Sequence, residues 1–487
     1  MAKSETKREI RKPYLWEALL SFGFLIFIIA ISVLVFHVDL HLPMMLAALV
    51  AAAIAKRCGF TWKDIEKSFL DGIYVAMPAV LILVVVGALI GVWLMAGVVP
   101  TMIYYGLAIL NPQFFLITAL IIASMTSLIT GTSWGTAGTI GIAFMGIASG
   151  LGISPAIAAG AIVSGAYFGD KISPLSDTTN MAASVAGCDL FAHIKCMFNQ
   201  TWIGYAFALI GFLVIGFFLT PATDGASAEY LRQGLQDNFN ISPILLIPPV
   251  AVIVAIALKV PALPGIFIGL VAGAIFGVIF QGNGFGDIMV FGLEGFSVET
   301  GVAQIDNLLS RGGIENNMFA VSLIIIAMSF GGVMEKSGQL EVVVDRIIKI
   351  FVRGNTSLVA TTVGTTLLSN VAMAEQYVAV IVPTKMFATS YRKRGLHPKM
   401  LAGAVDGTGT LTSAIVPWNT CGIAMASFLG ISAWQFAPYA LFNWSAPIII
   451  IGLAAIGKFT YKIKDDESSL TTAYIETYKN QPLPKDV

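Results

Sequence analysis

Apolar runs long enough to cross a bilayer recur along this chain, beginning with 14–36 and 73–96. A spanning helix needs roughly 20 such residues, and in hydrocarbon each spanning segment must satisfy its own backbone polar groups. Of the 487 residues, 57% are hydrophobic and 11% charged; soluble domains carry about 25% charged residues. The fold class read from this is an all-α polytopic membrane protein. A formal net charge of zero gives no basis for a nucleic-acid partner. Cys58, Cys188, Cys196 and Cys421 are scattered, which argues against a disulfide framework or a zinc site. There is no HExxH and no Walker A loop, so neither a cofactor nor ATP drive is expected. The basic N-terminus runs into its first apolar segment without a small-residue cleavage site, which reads as an uncleaved span.

One stretch breaks the apolar pattern. Residues 164–187, SGAYFGDKISPLSDTTNMAASVAG, hold Asp170, Lys171 and Asp177 with Pro174 between them. A charge at mid-bilayer costs roughly 2.5–3.5 kcal/mol on insertion scales and marks a pathway or a site. The stretch therefore predicts a broken helix lining a polar site. Upstream lies a second irregular segment, GTSWGTAG at 131–138, rich in glycine and hydroxyls.

Lysines and arginines on short loops mark the inner side of the membrane. Lys3, Lys7, Arg8, Arg11 and Lys12 put the N-terminus inside, and Lys56, Arg57, Lys63 and Lys67 mark the second inner loop. The chain also repeats itself at an offset of 243. Gly152, Pro155, Gly160, Pro174, Ser184 and Gly187 meet Gly395, Pro398, Gly403, Pro417, Ser427 and Gly430. Loops of the first copy carry no charge where their counterparts carry Arg346, Lys349 and Arg353, or Arg392, Lys393, Arg394 and Lys399. Equivalent loops thus fall on opposite sides, which predicts an inverted-topology repeat with its site near the midplane. The expectation is about ten transmembrane spans, two re-entrant hairpins (112–149 and 355–391) and two broken helices (155–187 and 398–430). Both termini are inside, and the polar tail after Lys458 is expected to be mobile.

The segments GTSWGTAGTIGIAFMGIA and GAYFGDKISPLSDTTNMAA resemble the signature of NhaC-type Na+/H+ antiporters of the ion-transporter superfamily, a family that includes relatives exchanging malate and protons for sodium and lactate. The resemblance implies Na+/H+ exchange in a bacterial inner membrane and, commonly, a homodimer. It also implies a scaffold and a transport domain. The chain then divides into an N-terminal tail (1–13), scaffold spans (14–96), repeat 1 (97–200), middle scaffold spans (201–316), repeat 2 (317–430), a last span (431–458) and a C-terminal tail (459–487).

Sodium takes hard oxygen ligands from hydroxyls, carbonyls of unwound backbone and carboxylates. Ser173, Ser176, Asp177, Thr178 and Asn180 offer these at the first break, and Thr132, Ser133 and Thr136 at the first hairpin. Glu375 and Gln376 sit at the second hairpin, with Trp418, Asn419 and Thr420 at the second break and Asp406 before it. The expected cation site is Asp177 with Ser176 and Thr178, where Na+ and H+ compete for one carboxylate whose burial and neighbours set its proton affinity. Asp170 and Lys171 read either as a structural pair or as groups that tune a carboxylate or attract an anion. Exchange of small carboxylates of the malate and lactate type is the alternative function. A serine hydrolase is a remote third: Gly131–Gly135 fits G-x-S-x-G, but without the strand–turn–helix setting that pattern needs.

Overall fold

In a computed structural model the protein is helical, and residues 10–218, 225–300, 305–306, 309–458 and 460–479 are described. Lys3, Lys7 and Arg8 lie outside them. The helices are α1 (Leu15–Leu34), α2 (His41–Arg57), α3 (Trp62–Met95), α4 (Val98–Ile109), α5 (Pro112–Thr130), α6 (Ser133–Thr136), α7 (Ile142–Gly150), α8 (Pro155–Ile172), α9 (Asp177–Ala186), α10 (Leu190–Phe218), α11 (Gly225–Asn238) and α12 (Ile247–Ala257). They continue with α13 (Ala262–Phe276), α14 (Phe285–Leu293), α15 (Ile314–Lys336), α16 (Gln339–Phe351), α17 (Asn355–Met373), α18 (Gln376–Arg392), α19 (Pro398–Ser413), α20 (Thr420–Leu429), α21 (Ala433–Phe436), α22 (Leu441–Ala455) and α23 (Thr472–Tyr478).

Six of the described helices are long and apolar enough to cross a membrane, or eight if each sharply bent pair is one span. This is a multi-pass membrane protein. Several expected spans are short helices, among them α2 with 17 residues, α12 with 11 and α22 with 15. The segment 97–111 is helical through α4.

Both expected breaks exist. α8 ends at Ile172 and α9 starts at Asp177; α19 ends at Ser413 and α20 starts at Thr420. Positions 243 apart share backbone conformation. Gly131 and Ala374 are both left-handed (φ 68° and 55°), as are Gly152 and Gly395 (67° and 64°) and Gly187 and Gly430 (86° and 69°). The helix-capping residues that follow the first pair, Thr132 and Glu375, adopt φ,ψ of −147°,121° and −146°,132°. Each break is anchored to the preceding helix at equivalent carbonyls: Ser173 Oγ donates to Leu128 O (2.8 Å) and Trp418 Nε1 to Val371 O (2.7 Å). Gly131 needs its missing side chain, because a Cβ there would stand 2.7 Å from the carbonyl carbon of Leu175.

α8 is pressed against α5 so closely that a Cβ at Gly169 would meet Ser124 O at 2.1 Å. Between α6 and α7 the helix widens into a π turn, Ala137–Gly141, a distortion that often accompanies functional sites.

The tail does not behave as expected. Residues 460–479 dock against the ends of both broken-helix units. Thr471 N donates to Gly187 O (3.1 Å), Asp189 N to Ser469 O (2.7 Å), His397 N to Tyr461 O (2.9 Å) and Ile463 N to Gly395 O (2.9 Å). Lys399 Nζ pairs with Asp466 Oδ2 at 2.5 Å and holds that carboxyl down to about 2. His397 Nδ1 accepts the Lys399 amide (3.1 Å), while its Nε2 lies 3.0 Å from Asp466 O and 2.9 Å from Ser469 Oγ. Burial lowers the proton affinity of this imidazole from its ordinary value. Polar composition suggested mobility; the buried Lys399 and open backbone groups at the helix ends instead give the tail a fixed seat.

A histidine kept neutral by folding contributes stability above its unfolded pKa of ~6.5 and loses it as pH falls through its folded value. Acidifying from pH 7.5 to 5.5 is therefore expected to loosen the tail, read as faster trypsin cleavage at Lys462 and Lys464. At each pH, His397→Asn, which keeps a capping acceptor, should lessen the dependence relative to wild type. Asp466, held down to about 2, stays charged throughout that window.

Candidate functional site

The first break, both helix-joining turns and the α12–α13 turn enclose a cavity of about 470 Å³. From the sequence candidates it gathers Thr132, Ser133, Asp170, Asp177, Glu375 and Gln376. Pro78 and Ile82 of α3 and Lys259 between α12 and α13 form the facing wall.

Asp170 sits in the last turn of α8, 4% exposed. Its Oδ2 accepts from Ser133 Oγ (2.9 Å) and Ser133 N (3.3 Å). Its Oδ1 is buried and has no hydrogen-bond partner. A buried carboxylate oxygen left open is costly and is the feature expected of a residue awaiting a cation or a proton. Ser176 and Tyr167 also lie beside Asp170, so oxygen donors converge there.

Asp177 begins α9 and is exposed at the rim. Both of its oxygens are engaged, Oδ1 by Thr178 N (3.0 Å) and Oδ2 by Tyr377 OH (2.5 Å). Ser176 caps α9 by accepting Thr179 N (3.4 Å) and stands 3.1 Å from the Thr178 hydroxyl. Glu375 caps α18, its Oε2 accepting Val378 N at 2.9 Å. Gln376 Oε1 and Trp134 Nε1, both on the cavity wall and buried, have no partner.

The remaining candidates are engaged by protein partners. Lys171 is fully buried and pairs with Asp406. Asp406 also takes Thr410 Oγ1 (2.9 Å) and lies 3.2 Å from His193 Nε2. Neither Lys171 nor Asp406 reaches the cavity, because successive helical residues diverge by about 100° and Lys171 points into the packed interface that Asp170 turns away from. Ser173 spends its hydroxyl on Leu128 O, Asn180 donates to Pro174 O and Ser176 O, and Thr136 donates to Thr132 O. At the second break Asn419 Nδ2 donates to Asn370 Oδ1 (3.2 Å), and Asn370 in turn donates to Gly409 O and Thr412 Oγ1. Thr420 N donates to Ala374 O (2.8 Å), and Trp418 is held by Val371 O. That break is closed on itself. A separate cavity of about 760 Å³ lies beyond it, walled by Pro417, Ser427, Asn316 and His37.

Sequence reasoning left Tyr377, Trp134, Tyr167, His193 and Lys259 off the list of site residues. A tyrosine or tryptophan in an apolar run carries no signal of its own. Lys259 did leave one: it is a single charge between two apolar runs, at a turn with no accompanying basic residues.

The family model described as "Na+/H+ antiporter family" matches residues 165–458. The chain belongs to the Na+/H+ antiporter family. A family relative, the malate-2H(+)/Na(+)-lactate antiporter of Bacillus subtilis, is 41% identical over 469 residues, covering 94% of this chain and 98% of that protein. The Na(+)/H(+) antiporter NhaC of Alkalihalophilus pseudofirmus is 36% identical, covering 90% and 95%. The NhaC of Bacillus subtilis is 34% identical, covering 90% and 97%.

Removing one member of a buried ion pair strands the other, typically at a cost of about 3–5 kcal/mol. Lys171→Met should lower the melting temperature of the purified protein sharply. The double variant Lys171→Met/Asp406→Asn should recover much of the loss.

Proposed function

We propose that this protein is a secondary antiporter exchanging Na+ for H+ across the cell membrane, with Asp170 as the carboxylate for which the two ions compete. The observation that carries this is the buried Asp170 Oδ1, unpartnered and on the cavity wall. A proton neutralises the group, or a sodium ion occupies the open oxygen with hydroxyls of Ser133 and Ser176 nearby. Each excludes the other, so unloading one allows loading of the next. Asp177, the carboxylate singled out from sequence, is the rim residue through which ions enter. Family membership and the NhaC relatives support the chemistry.

The inverted repeat is part of the same proposal. It is supported by the shared left-handed positions 243 apart and by two cavities, one at each break. The first borders the middle of α3; the second borders the C-terminal end of α1. They are the two access routes of an alternating mechanism, with inner termini, two re-entrant hairpins, about ten spans and a homodimer as the resemblance implies. A second reading, coupled exchange of small carboxylates, is favoured by the malate/lactate relative and by Lys259 on the cavity wall.

In proteoliposomes given a sodium gradient, with internal pH followed by a dye, Asp170→Asn should reduce exchange to background, whereas Asp177→Asn should slow it and keep its pH response. Sodium-driven proton movement surviving in Asp170→Asn would remove Asp170 from the mechanism.

A further inference from the structure

Three carboxylates line the cavity beside Asp170, those of Asp170, Asp177 and Glu375, and among the described residues on its wall there is one cation, Lys259. The carboxylates come from the first break and the second hairpin; the lysine comes from the facing turn between α12 and α13. That turn is a helix stop. Lys259 N donates to Ile256 O (2.8 Å) and Val260 N to Ala255 O (3.1 Å), the paired bonds that end a helix on a left-handed residue, usually glycine. Lys259 holds that position at φ 66°, where a β-carbon is unfavourable. Backbone strain of this kind collects at functional sites. The side chain is exposed and has no ion-pair partner among the described residues, so no salt bridge explains why a lysine stands there.

A positive charge works against sodium binding unless it also sorts one cation from another. Sodium and calcium both take oxygen ligands, so the hydroxyls and carboxylates of the wall do not reject a divalent ion. Three carboxylates attract it more strongly than sodium. Size does not separate the two either: among the described residues no three acidic, histidine or cysteine side chains are grouped to hold a metal ion, so there is no closed cage. Charge is what remains. A fixed charge acts on an ion in proportion to the valence of that ion, so one lysine opposes a divalent ion with twice the free energy with which it opposes sodium.

We propose that Lys259 is the specificity residue of the cation site, keeping calcium and other divalent ions out of the carboxylate cavity while admitting sodium. The proposal rests on the reading of Asp170 given above. It concerns cations alone and needs no organic anion in the cavity. It also carries a rule that a change of shape does not produce. Free energies that differ twofold give binding factors related as a number and its square, so removing the charge tightens calcium by the square of the factor for sodium. Lys259 is exposed, and water weakens the field of an exposed charge. The expected factors are therefore modest, about threefold for sodium and about tenfold for calcium.

The test is sodium-driven proton movement in vesicles of zwitterionic lipid, with a pH dye inside, no organic acid, and calcium varied on both sides at constant ionic strength. Two values are read: the sodium concentration giving half-maximal exchange, and the calcium concentration that halves exchange at that sodium level. Lys259→Gln and Lys259→Gly, the second suited to the left-handed turn, should lower the calcium value about tenfold and the sodium value about threefold. Lys259→Arg should keep both near wild type. Equal calcium sensitivity in wild type and the neutral variants overturns the role of Lys259 and leaves the Na+/H+ reading standing. A calcium shift no larger than the sodium shift overturns it as well, as does a shift that Lys259→Arg shares. Loss of exchange in both neutral variants also counts against it, because removing the charge is expected to tighten sodium. If wild type moves no protons in response to sodium, the underlying reading fails first.

Discussion

The buried contact between Lys171 and Asp406 ties the two broken helices together, and the free oxygen of Asp170 depends on it. Residues 170 and 171 occupy one helical turn. Lys171 is turned into the α8–α19 interface and satisfied there, so the preceding acid faces the cavity without a cation of its own. Had the lysine folded back onto Asp170, the site would be filled by the protein itself. His193 and Thr410 complete the Asp406 shell and leave the ion pair no reason to rearrange. Two adjacent charges thus have opposite fates: one is locked, the other is available.

Around that asymmetry the two breaks differ. The turns Gly131–Thr132 and Ala374–Glu375 share their dihedrals closely, yet one cap is a hydroxyl and the other a carboxylate. The second break is sealed by Asn370 and Asn419, while the first opens to the wall formed by α3 and the α12–α13 turn. The shared backbone supplies capped helix starts and local irregularity; the side chains at those positions differ.

How much of this was legible in the sequence follows from what each signal measures. Charge in an apolar run located Asp170, Lys171, Glu375 and Asp406, because burial of charge is rare enough to be informative. It did not say which of them would pair, since pairing joins residues 235 apart in the chain. Asp177 drew attention through its flanking hydroxyls, but the Ser176 hydroxyl caps α9, and the carboxylate itself is held by Tyr377 at the rim. The 243-residue offset was visible through glycine and proline because those residues record backbone conformation, and left-handed φ values recur at three pairs of positions that distance apart. Span boundaries were less legible: short or bent helices such as α4, α12 and α22 are defined by packing more than by their own length.

The seating of residues 460–479 bears on how the protein is made. Gly187 and Asp189 acquire their partners, Thr471 and Ser469, only after nearly three hundred further residues have been synthesised. The end of the first broken helix, at Gly187, therefore stays unclosed until residues 460–479 have been synthesised. Assembly is completed from the C-terminus backwards, and a chain that stalls near Lys458 would leave both units unstitched at that face.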